Sequence, residues 1–363
     1  MRIIFPIMVS LLFLISCSSK ENQDKETAED TQFSFISTTK KELGKGKLSD
    51  YNFFKGRLAD LTPEANVIPY RLNSPLFSDY AYKARFVKFP DNAPAVYNSH
   101  EVFEFPVGTV LIKNFYYPAD FRMPDGQKRI IETRLLKRKA DGWQALPYVW
   151  NDEQTDAYLK LTGATKEVNW IDDKGVPQRV AYSVPNMNQC KSCHSYNNEI
   201  KPIGPSARQL NGPITYQGQH IQENQLIHWA DNGYLSGLPD KAALPKLTDY
   251  RNKSADVGKR ARAYLEINCG HCHRKEGPAK NSALELLSTV ENPVAWGVGK
   301  TPIAAGKGSG GLKYDILPGQ PHQSILWYRM NSEDPGVMMP ELGRKTIHKE
   351  GVALVKQWIA EME

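Results

Sequence analysis

The chain lacks a hydrophobic run long enough to cross a bilayer. Its front stretch, Ile3 to Ile15, spans 13 residues, and a membrane-spanning helix needs roughly 20. Charge of one sign is lacking too. Lys and Arg number 46 against 40 Asp and Glu, and the resulting +6 over 363 residues is too dilute to argue for a nucleic-acid partner. Gly (26) and Pro (24) are spread along the sequence, which excludes collagen-like and linker-dominated chains. With 40% apolar and 24% charged residues, the composition is that of a globular protein of two or three domains. Cysteine is scarce, at five residues, and the positions of those five carry most of the functional information.

What is present begins with an address. Met1-Arg2 is a short basic start, and the apolar run behind it reads as a signal-peptide core that ends in Leu14-Ile15-Ser16-Cys17. This resembles a bacterial lipoprotein signal, with residues 1–16 removed and Cys17 acylated as the first residue of the mature chain. Several acyl chains on one Cys would anchor the protein firmly. Ser18 stands where an inner-membrane retention signal would place Asp, so the resemblance implies an outer-membrane lipoprotein facing the periplasm or the cell surface. Residues 17–46 are polar, charged and nearly free of aromatics, the composition of a flexible tether. The expected compartment is the cell envelope, where thiols could oxidise.

Apart from Cys17, the cysteines fall in Cys190-Lys191-Ser192-Cys193-His194 and Cys269-Gly270-His271-Cys272-His273. Each is a C-x-x-C-H, the attachment signature of c-type haem. Two thiols on one helical turn reach the two vinyl groups of a porphyrin, and the His that follows coordinates the iron. A four-Cys zinc site, a redox disulfide or structural bridges also use paired cysteines, but none requires His after both pairs. Eight histidines in 363 residues make that double placement by chance about a 0.05% event. The expectation is therefore two covalent haems, held by Cys190, Cys193, Cys269 and Cys272, with His194 and His273 as proximal iron ligands. Four propionates would bring the holoprotein closer to neutral than +6.

Residues 47–185 carry strand signals. Tyr82 to Phe89, Val102 to Phe105, Val110 to Tyr117, Ile130 to Lys137, Trp143 to Trp150, Val168 to Ile171 and Arg179 to Val184 alternate or are rich in β-branched and aromatic residues. Ala140-Asp141-Gly142 and Asp173-Lys174-Gly175 read as hairpin turns. A helix is expected only at Thr155 to Leu161. The region reads as an all-β sandwich or barrel. Its one Met, Met123, and its one His, His100, give no independent metal site.

The remainder is expected to be mainly α-helical and cytochrome c-like, giving a multidomain α+β chain. A first haem segment covers 186–250 and a second haem domain 251–363. Val257, Ala261, Tyr264 and Leu265 share one helical face leading into Cys269, and Val352, Val355, Ile359 and Met362 repeat that period at the end. Between them, Met339-Pro340 is placed as a distal ligand would be, so Met339 is expected on the second iron, with Met338 next; Met330 reads as core, and His322 and His348 as surface. No Met lies between His194 and Cys269. His228, on a helix over Asn224 to Asn232 closed by Gly233, and His220 are the candidates for the first iron's distal position, which could also stay open.

The chain resembles a family of bacterial dihaem c-type cytochromes with a β-rich N-terminal region. The resemblance rests on Pro69-Tyr70-Arg71-Leu72-Asn73-Ser74-Pro75-Leu76-Phe77-Ser78-Asp79, Phe105-Pro106-Val107-Gly108-Thr109, Ile131-Glu132-Thr133-Arg134-Leu135-Leu136, Gln209-Leu210-Asn211, Ala261-Arg262-Ala263-Tyr264-Leu265 and Met339-Pro340. It covers nearly all of the mature chain and implies electron transfer to or from a redox partner protein, a dehydrogenase being one candidate, rather than catalysis. Two alternatives remain. A dihaem peroxidase would use an open distal site on the first haem, with Glu199 and His220 the nearby acid–base candidates. A ligand-binding β-domain, lined by Trp143, Trp150 and Trp170, would be coupled to the haems.

Overall fold

The alternating segments pair into one large antiparallel sheet. The computed structural model describes residues 43–216, 220–303 and 305–363, all within the compact unit Lys40–Glu363. The signal peptide, the lipidation site Cys17 and nearly all of the tether lie outside the described residues. In chain order the first nine strands are β1 (Val67–Tyr70), β2 (Tyr82–Lys88), β3 (Ala95–Val96), β4 (Val110–Pro118), β5 (Lys128–Lys139), β6 (Gly142–Trp150), β7 (Ala157–Leu159), β8 (Ala164–Ile171) and β9 (Pro177–Val184), and two-residue strands follow them. Six of them form the sheet β1-β2-β4-β5-β6-β7, while β8 and β9 make a separate hairpin. Where a helix is expected, at Thr155 to Leu161, the chain instead adds the short edge strand β7 to β6. Val102 to Phe105 contributes only single bridges, to Ser206 and Val96.

The register sorts side chains onto two faces. Phe86, Ile112, Leu135 and Leu146 stand opposite one another across β2, β4, β5 and β6. They are buried beneath Leu48, Phe53, Phe54 and Leu61 from the chain ahead of β1. The other face is covered in two patches. At one end Val87 and Leu111 pack with Phe89, Phe103 and Trp229. At the other, Phe115 and Val149 pack under Val168, Trp170, Val180 and Tyr182 of the β8–β9 hairpin. Between the patches runs the row Arg85, Lys113, Arg134.

The helices are α1 (Met187–His194), α2 (Ala207–Leu210), α3 (Gln225–Asp231), α4 (Val257–Leu265), α5 (Pro293–Trp296), α6 (Ile325–Met330) and α7 (Lys349–Ala360). The amphipathic α4 and α7 pack together through Tyr264, Leu265, Val352, Val355 and Ile359. They approach so closely at Gly351 that an added Cβ would lie 2.3 Å from the Tyr264 ring.

These helices do not amount to the expected mainly α-helical, cytochrome c-like region following an all-β sandwich or barrel. The protein is β-rich, with 26% strand against 23% helix, and its sheet is large, open and antiparallel. The helical period holds only at the two ends of the second half. Between α4 and α7 lie Gly297, Gly299, Pro302, Gly306, Gly308, Gly310 and Gly311, and there Gly and Pro favour turns over helix. The result is two four- to six-residue helices, α5 and α6, among 3₁₀ turns.

Candidate haem sites

The first motif hangs directly from the sheet region. Val184 ends β9, and Asn186 starts α1 with a capping box: its side chain accepts from Gln189 N, and the Gln189 side chain accepts from Asn186 N. The helix carries Cys190, Cys193 and His194 on consecutive turns. His194 Nδ1 lies 2.7 Å from the carbonyl oxygen of Lys201. A carbonyl only accepts, so Nδ1 bears the proton and Nε2 keeps its lone pair. Burial, with the nearby Lys113 and Arg134 as lesser causes, lowers the His194 pKa to about 4 although the Lys201 carbonyl opposes it, so the ring is neutral at pH 7.

The second motif follows α4, whose last turn widens into a π turn over Glu266–Gly270. Such turns are frequent at functional sites. Glu266 fixes it by accepting from Arg208, Ser288 N and Ser288 Oγ. His273 Nδ1 is 2.9 Å from Ser282 Oγ, whose own hydroxyl donates to the carbonyl of Ala279. The serine oxygen therefore accepts from His273, and Nε2 again keeps the lone pair. Burial first, then Arg329 and Lys300, lowers this histidine's pKa to about 4.

All four thiols are free. Burial pushes Cys190 up to about 11, and Cys269 and Cys272 up to about 12. Among the described residues no three or more His, Cys, Asp or Glu side chains converge as a bare metal site would need. Free thiols beside neutral imidazoles with an open Nε2 suit a porphyrin's thioether and iron bonds.

Each motif borders a cavity. The first, of about 1330 Å³ with its mouth, is lined by Cys190, Cys193 and His194 and by Arg85, Lys113 and Arg134. The second, of about 1810 Å³ with its mouth, is lined by Cys269, Cys272, His273, Trp296, Leu326 and Met339. Most of that space is open to solvent: the room for a water-sized sphere is about 130 Å³ in the first and about 540 Å³ in the second, so only the second reaches the roughly 300–1,000 Å³ of an ordinary small-molecule pocket. Cys193, Cys269, His271 and Met339 border both cavities. Asn197 N donates to Glu276 O at 2.8 Å, and Arg274 stands over the Tyr196 ring, so the chain after one motif braces the chain after the other.

Met339 borders both cavities, with its backbone held by Arg329 O and the Arg344 guanidinium. Met338 is buried and lines neither cavity. Met330 is core and also borders both. His228 is not brought to the motifs: its ring stacks on Tyr216 at 3.7 Å, Nδ1 pairs with Glu223, and it lines neither cavity. His220 and Glu199 are exposed, as are His322 and Met123. Trp143, Trp150 and Trp170 pack into three different cores and line no common site.

Two histidines that the sequence does not place among the ligands line the cavities. His348, expected on the surface, is mostly covered at the first cavity's wall, its side chain 11% exposed, stacked on Phe77 at 4.2 Å and 3.1 Å from Tyr264 Oη. His271 borders both cavities with a buried Nδ1 that has no partner.

In comparisons with known proteins, no family model matches the chain, and neither the curated proteins nor the solved structures yield a match.

Proposed function

We propose that the protein is a dihaem c-type cytochrome of the cell envelope. It would carry electrons to or from a redox partner protein and be anchored through a lipidated Cys17. One observation carries this reading: two C-x-x-C-H segments lie side by side, each with free thiols, a neutral imidazole with its Nε2 lone pair open, and a cavity along its edge. The haems would supply one-electron chemistry. The chain's part is to hold them close, exclude water and set each potential. His273 with Met339 suits a high-potential centre.

Expression with haem-maturation machinery, a haem count, and ferric and ferrous spectra with and without carbon monoxide test the reading. Two covalent low-spin haems that ignore carbon monoxide are expected. Fewer than two haems per chain would remove the proposal. A first haem that binds carbon monoxide would favour a peroxidase-type oxidoreductase.

A further inference from the structure

The floor of the first cavity holds more positive charge than the protein itself balances. Arg85 on β2, Lys113 on β4 and Arg134 on β5 stand opposite one another in register, so their side chains share a face. All three line the cavity that Cys190, Cys193 and His194 border. Adjacent strands are about 4.8 Å apart, which puts three cations within about 10 Å. Lys83, two residues before Arg85 on β2, adds a fourth on that face.

Anions near the row are few and already engaged. Glu132 is fully buried and takes two hydrogen bonds from Arg134 and a third from the Tyr182 hydroxyl. Asp79 accepts from the backbone N–H groups of Lys345 and Thr346. Arg85 is 8% exposed and its Nη2 has no hydrogen-bond partner. Lys113 lies over the Phe115 ring at 4.7 Å, and neither it nor Arg85 has an ion-pair partner among the described residues. Burial weakens the hold of both on their protons, and the neighbouring cations weaken that of Lys113 further. Like charges gathered away from water are costly unless an anion joins them. Two guanidinium forks flanking an ammonium match the geometry of an oxyanion.

We propose that Arg85, Lys113 and Arg134 form an oxyanion site in the first cavity, occupied either by the propionates of a haem attached at Cys190 and Cys193 or by a free carboxylate-like anion bound beside that haem. The first arm rests on the dihaem reading; the second needs only the cavity.

The test uses the full-chain holoprotein and its Lys113→Met, Lys113→Arg and Arg85→Gln variants. Resonance Raman spectra follow the haem-propionate bending band, and formate is titrated by ferric absorption and by calorimetry. If propionates occupy the row, the band shifts in Lys113→Met and Arg85→Gln, returns in Lys113→Arg, and formate leaves the wild type unchanged. If the row binds a free anion, formate saturates the wild type, its affinity falls at least tenfold in Lys113→Met, and the band stays put. A band and a formate response that are the same in Lys113→Met as in the wild type would overturn the proposal. Should Lys113→Met fail to fold, Arg85→Gln at one end of the row carries the same readouts. A haem count below two would remove the dihaem reading alone. The calorimetric titration would then decide the anion site: formate binding lost in Lys113→Met supports it, and no binding to the wild type removes it.

Discussion

The two C-x-x-C-H segments share a local chemistry and are held by opposite means. The first sits on the eight-residue α1 beneath a sheet face whose cations are fixed by strand register. The second ends a longer amphipathic helix and faces walls of irregular chain. The cations near His273 have carboxylates of their own: Lys300 lies 3.8 Å from Asp315, and Arg329 lies 3.9 Å from Glu341. One surrounding is charge-balanced and the other is not. The same signature thus sits in two different electrostatic surroundings, and burial and nearby charge tune a haem's potential alongside its axial ligand. Buried cations oppose the extra positive charge of ferric iron. A first haem over an uncompensated row would be drawn towards the potential of a Met-ligated second haem, while an occupied row would let the two separate.

The most severe way to break the comparison is to remove one attachment at a time. Cys190→Ala with Cys193→Ala should lower the covalent haem count from two to one, and Cys269→Ala with Cys272→Ala should do the same for the other centre. Intact mass and pyridine haemochrome spectra read both. An unchanged count in either pair would mean that its cysteines do not attach haem. Met339→Ala comes next. It should abolish the long-wavelength ferric absorption that marks methionine–iron ligation and lower one of the two midpoint potentials. A spectrum and potentials identical to wild type would take Met339 off the iron.

How far this contrast can be read from sequence depends on the range of the interaction. Strands β4, β6 and β9 lie where alternation and hairpin turns place them, because those signals are local. The arrangement of strands into one open sheet is a matter of long-range pairing, and the helical period of α4 and α7 says nothing about the Gly- and Pro-rich chain between them. The two motifs are legible as motifs because a C-x-x-C-H signature needs only five consecutive residues. His348 is not legible as a cavity residue: Lys349 and Glu350 beside it are polar, and its burial comes from Phe77 and Tyr264, both distant in sequence. The cation row does leave a trace. Lys113 alternates with the apolar Leu111 and Phe115 on one face of β4, a position where a charge demands a partner.

The contrast in charge balance should also appear in stability. Glu132 is the buried counter-ion closest to the row, so Glu132→Gln leaves Arg134 without its carboxylate and should destabilise the fold by about 3–5 kcal/mol. Asp315→Asn relaxes a longer contact, 3.8 Å, in the balanced surroundings, and should cost about 1–2 kcal/mol. Urea unfolding of the two variants compares them directly. Equal losses would mean that the row near α1 is no more strained electrostatically than the second site.

The last effect concerns pH. Burial, with Lys83 as a lesser cause, holds His348 at about 3, against roughly 6.5 for an unfolded histidine. Protonation thus favours the unfolded chain. The stability linked to this group is complete above about pH 6.5 and drains away as pH falls from there towards 3. Between pH 7.5 and 4.5 the loss should be of order 3 kcal/mol, because about two pH units of that interval lie below 6.5, at roughly 1.4 kcal/mol each. Carboxylates also titrate in this range, so the measurement is a difference: urea midpoints of wild type and His348→Gln at both pH values, with unchanged slopes. Glutamine keeps a polar partner for Tyr264 but takes up no proton, so the variant should lose less stability on acidification than the wild type. Parallel losses would mean that His348 reaches solvent when protonated, and that the first cavity's wall yields to charge where its floor of strands does not.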